Sequence, residues 1–462
     1  MHSSHRGIAM TLARRLAQFL VRSSYDDLTE YAVQQMKIRI LDSIGCALGA
    51  LKAETVGLIR RQIEEFSKTG SCTMIGAGKT SPYQAAFYNG ALVRYLDFND
   101  SYLAKGETCH PSDNLGAVCA SSEYAQGSGK DIITALAVAY QVQCRLSDVA
   151  PVRNRGFDHT TQGAYAVAAG VSKALSLNEE QALNALAMCG AALNALRVTR
   201  TGTLSHWKGL AYPFTAWAAT YQTFLAMRGI TGPEMVFEGN KGFMDSIAGQ
   251  FEIDWSKEGL EWITKTALKK YNAEVHSQSA IEGVLELKKE HGIKVQDIEG
   301  IEIVTFDVAY NIIGGGEEGP KKAVHTKEEA DHSLPYIIAV ALIDDQVMPE
   351  QYFRTRILSR DVQSLMQKVN IHPSEEYSAR FPDQMPCEIT VNLTGGRTFT
   401  KEKSDYEGYV SRPADWNAAL DKFHSLGKGT YTGERLDSIA ASVENLEHTS
   451  ARDFMNVLAA TF

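Results

Sequence analysis

Residues 130–146, KDIITALAVAYQVQCRL, are the stretch that decides the fold. Apolar side chains recur there every three or four residues, which is the period of an α-helix with one buried face. The alanines among them leave room for neighbouring helices to approach closely. Because residues 165–175 and 179–196 repeat this pattern, the sequence predicts an all-helical bundle from residue 11 to about 268.

Local signals mark where these helices begin. Asn178 stands directly before Glu179 and Glu180, which is typical of an N-cap followed by an acidic first turn. Gly127 and Gly129 interrupt the chain just before the stretch quoted above. We therefore expect separate helices joined by short connections.

The pattern changes at about residue 269. Ile301, Ile303 and Thr305 alternate along the chain, as side chains of a strand do. Residues 389–393 alternate in the same way and run into Gly395-Gly396, which predicts a β-hairpin. A helical pattern at 331–342 lies between these strands, so the sequence predicts a smaller α+β unit.

From Pro413 onward the helical pattern returns, most clearly at residues 416–426 and 452–460. The predicted division is a first helical part over 1–268, an α+β part over 269–402 and a second helical part over 403–462. The predicted fold class is therefore mostly α. We find no internal repeat and no low-complexity segment.

Length and composition agree with a globular protein of two domains, or of one large domain with an insertion. The chain has 462 residues, of which 44% are apolar and 22% charged. The net charge of −9 argues against nucleic acid or an anionic membrane as a partner. An anionic substrate would need a local basic pocket.

Cysteine usage indicates a reducing compartment. Seven cysteines are scattered without a Cys-x-x-Cys spacing, and the odd number argues against a disulfide framework. An iron-sulfur cluster would need thiolates at cluster spacing, which this sequence lacks. Cys109 stands beside His110 and has three interpretations: a nucleophile, a metal ligand or, as we favour, a small apolar filler.

The N-terminal segment also has two interpretations. The first twenty-five residues contain no acid, a bias shared with mitochondrial transit peptides. Its basic residues are Arg6, Arg14, Arg15 and Arg22. We favour an amphipathic helix over residues 11–21 and predict a cytoplasmic protein, with the mitochondrial matrix as the alternative. The uncharged run at 209–227 is long enough to cross a bilayer, but its Pro213 and threonines favour a buried helix.

A polar cluster suggests where the chemistry lies. Asp97, Asp100, His110 and Asp113 stand close together in a region punctuated by Gly and Pro. Asp and His together can take up one proton and deliver another at neutral pH. The alternative is a helix-to-loop junction whose Asp and Ser residues only cap helices.

Six motifs in chain order make this sequence similar to the MmgE/PrpD family, whose members include 2-methylcitrate dehydratases, cis-aconitate decarboxylases and an iminodisuccinate epimerase. No motif is specific alone, but the ordered set is. The motifs are LDSIGCALG at 41–49, NGA at 89–91, LDFND at 96–100 with HPSDN at 110–114, GFDH at 156–159, HWKGLA at 206–211 and ADHSLPY at 330–336.

The resemblance implies a large all-helical domain built from both chain ends, with a smaller inserted α+β lid domain and an active site between them. It also implies a homodimer. His110, His159, Asp97 and Tyr336 fall on matching motif positions, which implies catalytic roles for them. Lys269 and Lys270 align with a basic position at the entrance of the lid, which implies substrate binding.

Chemistry adds further candidates. Removing a proton beside carboxylates adds charge to a polyanion, so cations must face it, and Lys208 is the leading catalytic candidate. Arg200, together with Arg197, could clamp a carboxylate, although surface pairing is an equal alternative. His332 is a secondary candidate for substrate binding, because it could equally belong to a helix cap with Asp331.

Within the family, Asn99 and Ser112 match the dehydratase pattern and are assigned to substrate binding. The resemblance therefore implies a cofactor-independent hydro-lyase that converts 2-methylcitrate to 2-methyl-cis-aconitate in propionate breakdown. The alternatives are decarboxylation of cis-aconitate, epimerisation of a dicarboxylate, or non-catalytic carboxylate binding. We predict no metal site, because Glu274 and His276 alone offer too few ligands, and we interpret Gly314-Gly-Gly316 as a flexible loop.

Overall fold

The computed structural model describes residues 10–67 and 69–459. Residues 1–9, with Arg6, lie outside this part of the chain. The predicted first helix is confirmed as α1, Leu12–Arg22, and Thr11 caps it by accepting a hydrogen bond from the backbone N–H of Arg14. Its apolar face, with Leu16 and Leu20, is fully buried.

Helices dominate the first half of the chain, as predicted. After α1 they are α2 Glu30–Ala50, α3 Glu54–Phe66, α4 Pro82–Tyr95, α5 Leu115–Ala125, α6 Gly129–Val149, α7 Thr160–Ala174, α8 Glu179–Ala192 and α9 Trp207–Met227. Short strands pair between them as two antiparallel ribbons, β1 Cys72–Thr73 with β2 Lys79–Thr80, and β3 Tyr102–Leu103 with β4 Thr108–Cys109.

The stretch at 130–146 forms most of α6. The helix begins where Ser128 and Asp131 close a capping box. Small residues let α5, α6 and α7 approach each other: a Cβ at Gly170 would lie 2.9 Å from the Cβ of Ala139 and 3.0 Å from a methyl of Val118. The predicted cap of α8 is also confirmed, since the Asn178 side chain accepts from the N–H of Gln181.

The uncharged run at 209–227 lies within α9, with Pro213 inside the helix. Within the described ranges, no helix is both long and apolar enough to span a bilayer. Aromatic rings on one side of α9 stay partly in solvent. Trp207, Phe214 and Tyr221 are each exposed by 42–45%.

A four-stranded sheet forms the centre of the α+β unit. Its strands are β5 Ile298–Thr305, β6 Val369–Pro373, β7 Cys387–Leu393 and β8 Thr398–Lys403, in the order β6-β5-β7-β8. β5 runs parallel to β6 and antiparallel to β7. The alternation at Ile301, Ile303 and Thr305 is confirmed because all three are buried, and β7 and β8 form the predicted hairpin.

Helices cover this sheet. They are α10 Gln278–His291, α11 Asp307–Ala309, α12 Lys327–Ala330, α13 Leu334–Asp344, α14 Arg354–Ile357, α15 Arg360–Met366 and α16 Glu375–Arg380. The helix predicted at 331–342 begins three residues later, because Ser333 is extended and caps α13 through the N–H of Tyr336. Asp331 and His332 are therefore in the turn before α13 and not in its first turn.

The chain end returns to helices α17 Trp416–Gly427, α18 Gly433–Glu444 and α19 Ala451–Leu458. Phe423, Leu436 and Phe454 belong to the same apolar cluster as Leu16 near the other end of the chain. We call the part built around this cluster the helical body. A second cluster fills the α+β unit, and a third, which includes Leu103 and Phe306, joins the two parts. The fold is therefore mostly α.

Candidate active site

A polar cavity lies where the helical body meets the α+β unit. It encloses about 480 Å³ of space between atoms, part of it open to solvent. Five cationic side chains, four carboxylates and four imidazoles line it: Arg94, Arg153, Arg197, Arg200 and Lys269; Asp97, Glu107, Glu274 and Glu318; His110, His159, His276 and His332. Cationic side chains outnumber carboxylates by one in this lining, in a protein whose net charge is −9.

Asp97 lies at the centre of the cluster, just beyond the end of α4. Its backbone is left-handed, with φ of 55°, a conformation uncommon outside glycine. Arg94 donates to its carboxylate, and the Lys269 ammonium lies 2.7 Å from it. Burial alone would raise the pKa of Asp97, but Arg94, Lys269 and Lys208 lower it well below its usual value. Asp97 is therefore an anion at neutral pH.

Lys208 lies in the first turn of α9 and reaches across to the α+β unit. Its Nζ is 2.7 Å from Asp331 Oδ1, 2.8 Å from His332 Nδ1 and 3.4 Å from Asp97 Oδ2. Ligand atoms of Asp97, Asp331 and His332 lie close enough together to hold one metal ion. In this arrangement the Lys208 ammonium donates to Asp331 and His332 and lies 3.4 Å from Asp97, so a cation already occupies the space between them.

His110 follows β4 and faces the cavity. Its Nδ1 lies 2.7 Å from the backbone carbonyl oxygen of Asp100. A carbonyl only accepts hydrogen bonds, so Nδ1 carries the proton and Nε2 keeps its lone pair. Burial lowers the pKa of His110 well below its usual value, and the charges of Arg94 and Lys269 act in the same direction. His110 is thus a neutral imidazole at neutral pH, with a lone pair on Nε2 that can accept a proton.

Asn99 and Ser112 are packed behind His110 and do not line the cavity. The hydroxyl and N–H of Ser112 donate to Asp100 Oδ1 at 2.6 and 3.1 Å. Asn99 donates to the Ser112 oxygen at 2.8 Å, and Tyr140 donates to Asp100 Oδ2 at 2.8 Å. In the structure they hold the Asp100 segment that fixes the His110 tautomer, and their predicted contact with substrate stays a prediction.

His159 precedes α7, and its ring centroid is 5.6 Å from that of His110. Both ring nitrogens are buried without a hydrogen-bond partner among the described residues. Burial lowers the pKa of His159 to about 3 although Asp158 acts against it. An unpartnered buried nitrogen is costly, and a bound ligand with a hydroxyl or carboxylate would satisfy it.

Arg200 and Lys269 line the cavity, as does His332. Arg200 is paired with the buried Asp158, beside His159. Lys269 connects the start of the α+β unit to Asp97. Arg200, Lys269 and His332 therefore line the same cavity as His110, His159 and Asp97. Their predicted roles in substrate binding stay predictions.

Lys270 and Tyr336 lie elsewhere. The Lys270 ammonium points out to Glu407 at 2.6 Å, and its side chain is exposed. Tyr336 is fully buried in the α+β core, and its hydroxyl donates to the carbonyl oxygen of Gln351. Lys270 and Tyr336 were both predicted at the site, and neither side chain lines the cavity.

Cys109 is also buried away from the cavity. It is fully inaccessible and packs with Tyr102, Ala104 and Cys144. Ser147 donates to its sulfur at 3.4 Å. The interpretation as a small apolar filler fits this position. The seven cysteines are free and buried.

Several cavity residues were missed by the sequence reasoning. Arg94 precedes Asp97 by three residues at the end of a helix, a spacing that brings two side chains together and could have revealed the pair. Glu274 and His276, which the sequence suggests only as an incomplete metal site, form a pair at 2.7 Å and line the cavity. Glu107 and Arg153 carried no recognisable signal.

Comparison with known proteins finds matches along most of the chain. Residues 14–256 match the MmgE/PrpD N-terminal domain, and residues 271–448 match the MmgE/PrpD C-terminal domain. An alkylcitrate dehydratase phiI from a fungal species is 28% identical over 88% of this chain and 86% of its own length. The 2-methylcitrate dehydratase of Escherichia coli is 26% identical over 87% of both chains.

A cis-aconitate decarboxylase of Mus musculus is 24% identical over 91% of this chain and 87% of its own length. The two domain matches together cover most of the 462 residues. The chain therefore belongs to the MmgE/PrpD family.

Proposed function

We propose that the protein is a dehydratase that removes water from a tricarboxylate, with 2-methylcitrate as the specific substrate and 2-methyl-cis-aconitate as the product. The observation that carries this proposal is the neutral His110, which holds its proton on Nδ1 and lines the same cavity as five cationic side chains. The assignment to the hydro-lyases agrees with the names of the dehydratase relatives.

Charge is the first requirement of this reaction. A tricarboxylate brings three negative charges, and removal of a proton beside a carboxylate places further charge on it. Fixed cations in a partly dehydrated cavity stabilise such charge more than water does. Arg200 and Lys269 line the cavity and supply positive charge directly. Lys208 acts indirectly, through its ion pairs with Asp97 and Asp331.

His110 is the proposed base. Its Nε2 takes the proton from the carbon next to the hydroxyl-bearing carbon, and the electron pair of that C–H bond becomes the new C=C bond. The bond between carbon and hydroxyl oxygen breaks at the same time. General base catalysis of this kind contributes about 10²- to 10⁴-fold to a rate.

The leaving hydroxide needs a proton, and Lys269 is positioned to give it. Two of its three N–H groups donate to Asp97, which leaves one for the cavity. Burial lowers the pKa of Lys269 below its usual value although Asp97 raises it, so the ammonium is a better acid than a free lysine. The proton held by His110 returns to Lys269 after water leaves, and no oxidant or reductant is consumed.

His159 completes the set as a binding group. Its two unpartnered nitrogens offer one donor and one acceptor, which suit the substrate hydroxyl and a neighbouring carboxylate. The α+β unit acts in this proposal as a lid, since it contributes Lys269 and His332 to a cavity whose other wall is the helical body. Closure would exclude water and strengthen these charge contacts.

The test is a product assay. Purified, chelator-treated protein is given 2-methylcitrate, and the conjugated alkene is followed by ultraviolet absorbance. We expect an increase that is lost in His159→Ala. The proposal fails if the wild-type protein produces no alkene from 2-methylcitrate. Catalysis itself would be abandoned if His159→Ala turned over every tricarboxylate like wild type.

The same samples test the main alternative, which the decarboxylase relative favours. Protein given cis-aconitate is monitored for released carbon dioxide. A dehydratase releases none, so carbon dioxide at a rate above that of the alkene assay would assign the site to decarboxylation.

A homodimer in the cytoplasm or the mitochondrial matrix stays part of this proposal. The partly exposed rings of Trp207, Phe214 and Tyr221 on α9 support association through the helical body. Light scattering on the purified protein measures the mass of the particle. A mass of one chain at micromolar concentration would contradict the dimer.

A further inference from the structure

A carboxylate of the α+β unit reaches across the cavity to the helical body. Glu318 lies in the loop after the π-helical turn Tyr310–Gly314, and its Oε1 is 2.6 Å from a guanidinium nitrogen of Arg197. The same oxygen is 3.7 Å from Arg153. The Glu318 side chain is only 4% exposed, so this acid is held inside the cavity and not on the surface.

The two arginines need an anion between them. Each side chain is 14% exposed, and both face the same carboxylate oxygen. Burial lowers the pKa of Arg153, and the positive charge of Arg197 lowers it further, while Glu318 acts against both. Two partly buried guanidinium groups that repel each other form a site for a carboxylate, which guanidinium groups bind with good geometry.

We propose that Arg153 and Arg197 form a carboxylate-binding subsite that Glu318 fills in this structure, and that a carboxylate of the substrate replaces Glu318 when it binds. Glu318 is then an internal competitor that keeps the α+β unit closed over the cavity without a ligand. This inference rests on the proposed function, because it takes the substrate to be a di- or tricarboxylate.

The loop that carries Glu318 can release it. Gly314, Gly315 and Gly316 precede it, and the φ of Gly315 is 111°, a conformation that glycine adopts without strain. The Glu318 N–H donates to the carbonyl oxygen of Asn311 at 2.9 Å, a contact of the main chain that withdrawal of the side chain alone leaves in place. The neighbouring Glu317 is exposed and has no ion pair within 4.0 Å among the described residues.

Competition sets the sign of the expected effect. The affinity for an external carboxylate is reduced by the fraction of molecules in which Glu318 occupies the subsite. Removing the charge of Glu318 therefore strengthens binding, whereas removing a residue that helps to bind substrate weakens it. A competing Glu318 and a substrate-binding Glu318 therefore predict opposite changes in affinity for Glu318→Gln.

The probe is tricarballylate, propane-1,2,3-tricarboxylate, which has no hydroxyl group and cannot be dehydrated. Its dissociation constant is measured by calorimetry for the wild type, Glu318→Gln, the matched control Glu317→Gln and Arg197→Met. We expect Glu318→Gln to bind about fivefold tighter or more, Glu317→Gln to bind like the wild type, and Arg197→Met to bind more weakly. A Glu318→Gln protein that binds equally or more weakly overturns the proposal.

Hydrogen exchange gives a second readout that does not depend on a variant folding. In the wild type, saturating tricarballylate is expected to speed exchange at the amides of residues 314–319, because the loop is released as the ligand takes the arginines. Unchanged or slower exchange there overturns the proposal. Failure of the dehydration assay with tighter binding by Glu318→Gln would refute the enzyme function and leave the subsite intact.

Discussion

The ammonium of Lys269 donates to two oxygens of Asp97, the main-chain carbonyl at 2.6 Å and the carboxylate at 2.7 Å. Lys269 stands at the start of the α+β unit, and Asp97 follows helix α4 of the helical body. One side chain thus connects both parts of the molecule and lines the cavity between them. Its neighbour Lys270 points away to Glu407, which supplies a matched control.

Replacing Lys269 by Met should abolish most turnover. The substitution removes the proposed proton donor and leaves Asp97 with one cation fewer. Loss of a group that stabilises charge in a transition state costs about 10²- to 10³-fold in kcat. We expect a decrease of that order in Lys269→Met, measured by the alkene assay, and a change of less than about threefold in Lys270→Met, whose charge is screened by solvent. Equal losses in both variants would contradict the assignment of Lys269.

The pH dependence of kcat/KM tests His110 as the base. Only the neutral imidazole can take a proton, and its pKa is lowered well below the usual value by burial, Arg94 and Lys269. Activity should therefore stay constant as pH falls through about 6.5, the usual pKa of histidine, and decrease only at lower pH. The measurement is a pH profile corrected for ionisation of the substrate.

A second variant tests the direction in which Lys269 shifts the pKa of His110. Lys269→Met removes a positive charge that lowers the pKa of His110, so the residual activity of this variant should begin to fall at higher pH than in the wild type. A profile that falls near pH 6.5 in the wild type, or an acid limb that moves to lower pH in Lys269→Met, would argue against His110 as the base.

The helical body could be predicted from the sequence because its signals are local. The period of the stretch at 130–146 and the cap at Asn178 depend on neighbours in the chain, and both predict elements that the structure contains. The start of α13 was predicted three residues early because Asp331 resembles a cap. In the structure Asp331 instead pairs with Lys208 of α9, which is distant in sequence, and with Lys327, four residues earlier in the chain.

Side-chain direction is what the sequence could not provide for the site. Lys269 and Lys270 are adjacent and chemically alike, yet only one faces the cavity. Asn99 and Ser112 stand in matching motifs but are turned inward to hold Asp100. Glu318 gave no signal because its partner Arg197 is far away in sequence and belongs to the other part of the molecule.

Tyr336 was predicted at the active site and lies in the α+β core. Its hydroxyl is the donor to the buried carbonyl of Gln351. Tyr336→Phe should therefore cost about 1–3 kcal/mol of unfolding free energy, the usual penalty for an unsatisfied buried group, and change kcat by less than about threefold. Urea unfolding and the alkene assay measure the two effects. A loss of turnover above about tenfold in a stable variant would return Tyr336 to the site.

Lys422 of α17 connects this helix to the segments that carry Asp97 and Lys269. Its ammonium donates to the carbonyl oxygens of Phe98 at 2.7 Å and Lys269 at 3.0 Å, and it pairs with the buried Asp42 at 2.6 Å. Helix α17 thus holds two segments in place, the one that carries Asp97 and the one that carries Lys269.

Lys422→Met should destabilise the protein by about 3–5 kcal/mol, because it leaves the carboxylate of Asp42 buried without a counterion. Adding Asp42→Asn should recover part of that loss, since the orphaned charge is removed together with its partner. Urea unfolding of both single variants and the double variant measures the coupling. Additive losses would mean that the ion pair does not hold this helix to the rest of the site, and that the carbonyl contacts alone account for the role of Lys422.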